Sequence, residues 1–167
     1  LVAPTAVVVR TVDGRLVALA REDGHELWSV EQQIPRLTLR GVAAPVLAGD
    51  VVLCGFDNGK VVGASLRDGS VLWETAVAPP RGRTELERLS DIDSRVLVSG
   101  DNVFAVGFQG RIAMLALDTG QIWWSRDLSS YRGLALDGDH LYISTAEGDV
   151  VAMDSRTGGE VWRQKAL

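Results

Sequence analysis

Cysteine is nearly absent from this sequence of 167 residues, and its scarcity excludes several classes of protein. The single cysteine, Cys54, allows no internal disulfide and leaves no paired-cysteine pattern of the kind that binds zinc. It stands in the apolar run DVVLCGF, where a thiol usually packs as a small hydrophobic side chain. We therefore predict that Cys54 is a buried core residue.

The sequence also lacks long apolar runs and an excess of basic residues. No apolar stretch approaches the roughly 18 residues that a transmembrane helix requires. The formal net charge of −5 argues against nucleic-acid binding, because no basic stripe is present to neutralise phosphates. A hydrophobic content of 46% nevertheless predicts a globular domain with its own core. The first residue is Leu1, from which we expect a processed chain or a fragment.

What the sequence does contain is a repeat. In each of four segments that align without gaps, a glycine is followed ten residues later by a second glycine and then, after four more, by a tryptophan. Successive tryptophans are 45, 51 and 38 residues apart, so insertions fall between the units. The segments are DGRLVALAREDGHELW, NGKVVGASLRDGSVLW, QGRIAMLALDTGQIWW and EGDVVAMDSRTGGEVW, which end at Trp28, Trp73, Trp124 and Trp162.

Each unit has the pattern of short antiparallel strands. The first glycine follows Asp, Asn, Gln or Glu, and such pairs favour hairpin turns because glycine adopts the positive φ that these turns require. With a second turn before the tryptophan and two strand candidates before the first glycine, a unit holds four strands and no helical period. Four strands at a period of roughly 40–50 residues are typical of a β-propeller blade. We predict an all-β chain, a single propeller segment with about four antiparallel blades at residues 1–30, 42–76, 94–128 and 132–166.

The repeated tryptophans have a structural role in this scheme. Neighbouring blades meet face to face, and a large ring in the last strand can fill the wedge between them beside a glycine that permits close approach. We predict that Trp28, Trp73, Trp124 and Trp162 dock blades on one another rather than stack on a ligand. Strand alternation points Trp123 to the other face of its sheet, as a second packing residue or a partly exposed aromatic.

The fourth unit carries a recognisable motif. Its pattern Ala-x-Asp-x-x-Thr-Gly-x-x-x-Trp, from Ala152 to Trp162, resembles the tryptophan-docking motif of pyrroloquinoline-quinone-type propellers. The other three units keep the glycine and the tryptophan and lose parts of the rest. Quinone dehydrogenases and non-catalytic propellers share this motif, so it indicates a fold and not a function.

Two further segments are more specific. PRLTLRG at 35–41 and GRTELERLSDIDS at 82–94, together with the spacing of the repeats, resemble the BamB family, the propeller lipoproteins of the outer-membrane β-barrel assembly machinery. The resemblance covers essentially the whole chain. It implies an eight-bladed ring, of which this sequence would hold about four consecutive blades.

The same resemblance implies a partner and a binding surface. In that family the Leu-x-Leu-Arg and Asp-x-Asp segments form the surface that docks the periplasmic domains of BamA. The corresponding partner-binding residues of this chain are Leu37, Leu39, Arg40, Asp91 and Asp93. The lipid-bearing N-terminal cysteine of the family has no counterpart here, so an anchor at the periplasmic face of the Gram-negative outer membrane is implied only for the full-length protein.

The lengths of the connections indicate the same two segments, independently of the resemblance to a family. Four is an even number of strands, so the chain leaves each blade on the same face of the disk at which it entered. Every connection between blades is therefore expected on that face. Trp28 and Val46 are separated by 17 residues and Trp73 and Val96 by 22, whereas tight connections take about two to five. Long loops on a rigid scaffold commonly carry function, and because these two flank one blade they can lie side by side.

The chemistry of Asp91 and Asp93 allows three interpretations: a metal site, a solvated loop or a docking surface. An EF-hand would need a third oxygen ligand, a glycine and a glutamate where the sequence has Arg95, Val96 and Asn102. We therefore predict no metal. The other two interpretations remain open on the aspartates alone.

Two leucines in the preceding long loop favour docking. Leu37 and Leu39 stand at alternate positions, so both point the same way if the loop is extended. With Arg40 and the two aspartates they would form a small apolar centre with a charged rim, the usual anatomy of a modest interface. Arg40 can bind a partner's carboxylate or pair with an aspartate and tie the loops together, and the two roles are compatible. We predict that the five residues form one contiguous exposed patch.

The function predicted from these observations is a non-catalytic scaffold that binds the periplasmic domains of BamA, with nascent outer-membrane proteins as a further candidate partner and no cofactor. The two histidines, His25 and His140, lie in or beside ordinary turns, which argues against acid–base catalysis. One alternative is a fragment of a quinone-dependent dehydrogenase, which absorbance of a bound quinone would favour. Another is a propeller domain of a sensor or of a different assembly factor.

Overall fold

The computed structural model describes residues 1–33, 43–79, 91–92, 94–108, 110–130 and 132–165. Within these ranges the regular structure consists of β-strands, and no helix occurs among them. The strands are β1 (Ala6–Arg10), β2 (Arg15–Ala20), β3 (Glu26–Glu31), β4 (Val46–Ala48), β5 (Val51–Gly55), β6 (Lys60–Ser65), β7 (Val71–Ala76), β8 (Leu97–Ser99), β9 (Asn102–Val106), β10 (Arg111–Ala116), β11 (Ile122–Asp127), β12 (Leu134–Asp137), β13 (His140–Ser144), β14 (Val150–Asp154) and β15 (Glu160–Gln164).

Strands that are adjacent in sequence pair antiparallel and form four sheets. Sheet 1 contains β1–β3, sheet 2 β4–β7, sheet 3 β8–β11 and sheet 4 β12–β15, each in sequential order. Every tryptophan of the repeat lies in the last strand of its sheet. The predicted all-β fold is confirmed, with one difference: sheet 1 has three strands, and the place beside β1 holds only the isolated bridge between Val2 and Val7.

The sheets pack face to face, and their inner strands are apolar on both sides. In β5, Val52 and Cys54 pack in the core shared with sheet 1, whereas Leu53 packs in the core shared with sheet 3. Because successive residues of a strand point to opposite faces, a sheet buried on both faces requires a continuous apolar run. This explains the run around Cys54, which is buried as predicted, and burial raises the pKa of its thiol to about 12.

Each docked tryptophan binds the next sheet in the same way. Its indole Nε1–H donates to a carbonyl in the turn before the last strand of that sheet, and its ring lies against a glycine three residues further on. The donor–acceptor distances are 2.9 Å for Trp28 to Leu66, 2.8 Å for Trp73 to Leu117 and 3.0 Å for Trp124 to Ser155. A Cβ on Gly120, whose φ is +68°, would lie 2.4 Å from the ring of Trp73. The glycine that all three contacts share therefore belongs to the neighbouring sheet. Trp73 also lies against Gly63 of its own sheet, where a Cβ would be 2.6 Å from the ring.

Trp162 differs from the other three. Trp28, Trp73 and Trp124 are 7–8% exposed, but Trp162 is 46% exposed, because no sheet follows sheet 4 among the described residues. The docking contact predicted for Trp162 is therefore not formed within this part of the chain. Its ring instead meets the ring of Tyr142 in its own sheet, with centroids 6.0 Å apart.

Trp123 is exposed because a β-bulge interrupts strand alternation. Met114 pairs with Trp124 and Leu115 pairs with Ile122, so Trp123 is the extra residue that has no cross-strand partner. Its side chain is 56% exposed. Of the two alternatives left open by the sequence, the structure selects the exposed aromatic.

We expect Trp73→Ala to lower the free energy of unfolding by about 3–5 kcal/mol, because it removes a large buried ring and its hydrogen bond. Trp162→Ala is the matched control and should cost less than about 1 kcal/mol, since its ring is half exposed. Denaturant melts of both variants provide the measurement. Equal losses, or a loss below about 1 kcal/mol for Trp73→Ala, would contradict the docking role.

We expect the Cys54 thiol to be unreactive toward Ellman's reagent at about pH 8 in the native protein, because the thiolate is the reactive form. A raised pKa keeps the thiol protonated at that pH, and burial denies access to the reagent. The control is the same titration in guanidinium chloride, where one thiol should react. Rapid stoichiometric reaction of the folded chain would show that this core is open.

Candidate functional site on the connection face

The described parts of the connections between sheets lie at one end of the molecule, as the strand count predicts. Each starts beside a turn of the sheet that it leaves, and a backbone N–H of the connection donates to a glycine carbonyl of that turn. These bonds run from Gln32 to Gly14 (3.0 Å), from Val77 to Gly59 (2.9 Å) and from Ser130 to Gly107 (3.2 Å). We call this end the connection face; its described residues are those of the turns at 11–14, 56–59, 107–108, 110 and 145–149 and of the connections at 32–33, 43–45, 77–79, 91–92, 94–96, 128–130 and 132–133.

The first long connection is attached to sheet 2 at both ends. At its start, Asn58 Nδ2 donates to the carbonyl of Gln33 at 3.1 Å, and Gln32 Nε2 donates to Glu74 Oε2 at 3.2 Å. At its end, the carbonyl of Ala43 accepts a long hydrogen bond from Cys54 Sγ at 3.9 Å. Residues 34–42 lie between these attachments.

The second long connection is attached to the same sheet. The N–H groups of Val77 and Ala78 both donate to the carbonyl of Gly59, at 2.9 and 3.0 Å. At the far end, the N–H of Ile92 donates to the carbonyl of Phe56 at 3.2 Å, and its side chain is fully buried. Three of the four loop ends therefore meet at the single turn 56–59.

Four of the five predicted site residues, Leu37, Leu39, Arg40 and Asp93, lie outside the described residues. Asp91 is described, and its predicted exposure is wrong because the residue is 1% exposed. Its carbonyl accepts the N–H of Phe108 at 2.9 Å, in the turn of sheet 3. Asp91 thus sits where the connection crosses from sheet 2 to sheet 3, and neighbouring turns enclose it.

The structure adds an ion pair that the sequence did not suggest. Arg10 at the end of β1 binds Asp57 in the turn 56–59, and both side chains are buried. The guanidinium also lies over the ring of Phe56, 5.1 Å from its centroid. Charge removed from water is stable only when paired, so this contact fixes the turn against sheet 1. The one available signal was an arginine ending the apolar run AVVVR.

A second, exposed ion pair supports the start of the first loop. Lys60 Nζ lies 2.6 Å from Glu74 Oε1, and the other carboxylate oxygen accepts the hydrogen bond from Gln32. The hydrogen bond from Lys60, followed by that from Gln32, lowers the pKa of Glu74. The carboxylate therefore stays ionised near neutral pH and continues to accept the hydrogen bond from Gln32.

The described residues present no metal centre: none of their groups of His, Cys, Asp and Glu could hold an ion with three ligands. Across those same ranges, no helix is long and apolar enough to cross a membrane. The connection face instead carries the described ends of two long connections, three of which are hydrogen-bonded to the turn 56–59.

We expect Arg10→Met to destabilise the fold by about 3–5 kcal/mol, because the Asp57 carboxylate remains buried without its cation. The double variant Arg10→Met/Asp57→Leu should recover most of that loss, since it removes both charges. Arg111→Met, which breaks the exposed pair with Asp127, is the control and should cost less than about 1 kcal/mol. Urea melts that show equal losses for the two single variants would contradict a buried pair.

Face-to-face sheets, each joined to the next by a docked tryptophan, define a segment of a β-propeller with an anchored loop pair on one face. A sequence profile described as outer membrane protein assembly factor BamB matches residues 1–164. The chain belongs to the BamB family. The proteins of that name from Pseudomonas aeruginosa and Kangiella koreensis are 44% and 39% identical over 82% and 84% of this chain, which in each case is 36% of the relative. The chain thus spans little more than a third of these relatives.

Solved structures agree with this family. BamB from Moraxella catarrhalis superimposes with a TM-score of 0.93 at 29% identity, over 99% of this chain and 50% of that one. Quinohemoprotein alcohol dehydrogenase from Comamonas testosteroni superimposes with a TM-score of 0.77 at 16% identity. The second likeness reflects the fold alone.

Proposed function

We propose that this chain is part of a non-catalytic scaffold of the outer-membrane β-barrel assembly complex and binds the periplasmic domains of BamA with its connection face. The observation that carries the proposal is the attachment of both long loops to sheet 2, three of their four ends at the turn 56–59. The family's relatives are named assembly factors, which supports this role over the dehydrogenase alternative. The expected location is the periplasmic face of the outer membrane, with a lipid anchor in the full-length protein.

Attachment at both ends favours binding because it lowers the entropy that a loop loses when a partner orders it. The loop at 34–42 contains Leu37 and Leu39, which would supply the apolar centre of the interface. Arg40 would bind a partner carboxylate in a bidentate manner, and Asp93 would accept a partner Lys or Arg. In this proposal the four residues make the contact with BamA.

Asp91 has a different role in the proposal. Its burial and the hydrogen bond from Phe108 make it a positioning residue, which sets where Asp93 emerges. Replacing it should disturb the loop and the fold together. Asp93 and Arg40 are therefore the better positions at which to test binding without unfolding the protein.

We expect Arg40→Glu and Asp93→Lys each to weaken binding to the isolated periplasmic domains of BamA by about tenfold or more, since each reverses a charge in the proposed contact. Surface plasmon resonance measures the affinity, and a thermal melt of each variant reports the fold. Asp139→Lys is the matched control, because Asp139 is exposed in the β12–β13 turn at the opposite end. Its affinity should equal that of the parent chain.

Two outcomes would overturn this proposal. If Arg40→Glu and Asp93→Lys leave both the affinity and the melting temperature unchanged, Arg40 and Asp93 do not contact BamA and the solvated-loop interpretation holds. Equal weakening by Asp139→Lys would show that charge reversal far from the connection face has the same effect, and that the contact is not specific to that face.

A further inference from the structure

Sheet 3 carries an exposed indole in a cleft at the end opposite the connection face. The bulge residue Trp123 lines an open cavity of about 550 Å³ together with Met114, Ala116 and Leu117. Isolated exposed side chains are common on protein surfaces, but a half-exposed tryptophan in a concave, partly apolar site is typical of recognition.

Two carboxylates border this cavity. Asp101 lies in the turn between β8 and β9, and Asp118 lies in the turn between β10 and β11. The N–H of Leu117 donates to the carbonyl of Asp101 at 2.9 Å, which holds the two turns together. Across the described part of the chain, neither carboxylate has a Lys, Arg or His within ion-pair distance. The rim of the cleft is therefore negative and uncompensated.

The neighbouring sheets have the same backbone geometry with different chemistry. The equivalent hydrogen bonds run from Leu66 to Asp50 (2.9 Å) and from Ser155 to Asp139 (2.7 Å). The residues that correspond to Asp118 are Arg67 and Arg156, and those that correspond to Trp123 are Leu72 and Val161. Of these three sheets, sheet 3 alone combines an indole with two acids, so the repeat architecture does not explain the combination.

We propose that this cleft binds an extended polypeptide segment that presents an Arg or Lys next to an apolar side chain. The face of an indole attracts a cation, and the two carboxylates add a charge-assisted contact. The thioether of Met114 adapts to side chains of different shape, which suits an apolar neighbour of variable size. The cleft is remote from the connection face, so binding of the basic segment does not depend on the proposed contact with BamA.

The test uses two acetylated, amidated pentapeptides, Ala-Arg-Phe-Arg-Ala and its counterpart with Glu in place of Arg, titrated into the whole chain by calorimetry. We expect saturable binding of the basic peptide and at least tenfold weaker binding of the acidic one. Binding of the basic peptide should weaken further as salt is added, because its contacts are charged.

Two variants exchange residues of sheet 3 for those of sheet 2 and so preserve the local fold. Trp123→Leu introduces the residue found at Leu72, and Asp118→Arg introduces the residue found at Arg67. Each should weaken the basic peptide by about tenfold, which corresponds to about 1.4 kcal/mol. Trp123→Tyr should stay within about threefold of the parent, since a tyrosine ring also attracts cations.

The control is Leu72→Ala, which alters the equivalent exposed position of sheet 2 and should leave the affinity unchanged.

The proposal is overturned if no saturable binding occurs, if both peptides bind equally, or if Trp123→Leu and Asp118→Arg bind as the parent does. Light scattering provides one further outcome: self-association that Trp123→Leu abolishes would mean that a second copy covers the cleft, and not a basic segment.

Discussion

The contact on which the structure depends is the docking of one indole onto one glycine of the next sheet. A four-stranded sheet that is apolar on both faces cannot remain in water alone, so it must cover each face with a neighbour. The tryptophan fills the gap between twisted sheets and satisfies its N–H on a carbonyl of the adjacent turn, as for Trp73 and Leu117. Any side chain on Gly120 would occupy the position of that ring.

In this packing, the residues that stabilise the fold are distinct from those of the connections between sheets. Because the sheets are held by their cores and by the docked rings, the connections are free to vary in length and content. The connection face uses that freedom for two long loops, and the turn 56–59 holds three of their four ends. A buried pair, Arg10 with Asp57, then fixes the turn itself against sheet 1. The opposite end has short turns, and there the variation is in side chains such as Trp123.

The structure decides between the two alternatives left open for Trp123 and corrects the exposure predicted for Asp91. Trp123 is exposed because a bulge adds one residue to β11 and breaks the alternation that would have turned it to the other face. Asp91 is buried where the connection crosses to sheet 3, and its carbonyl accepts the N–H of Phe108 there. Neither the bulge nor that hydrogen bond can be read from the residues concerned.

The sequence by itself determined the all-β class, the four units, the last-strand position of the tryptophans and the family, since the Gly–Gly–Trp spacing is local and repeated. Strand parity likewise predicted the face on which the described ends of the long connections lie. Only the tertiary structure decided which glycine each indole meets, which acid is buried and that Arg10 finds Asp57 across 47 residues. These facts depend on how one sheet packs on the next, and a contact between units leaves no periodic signal within either of them.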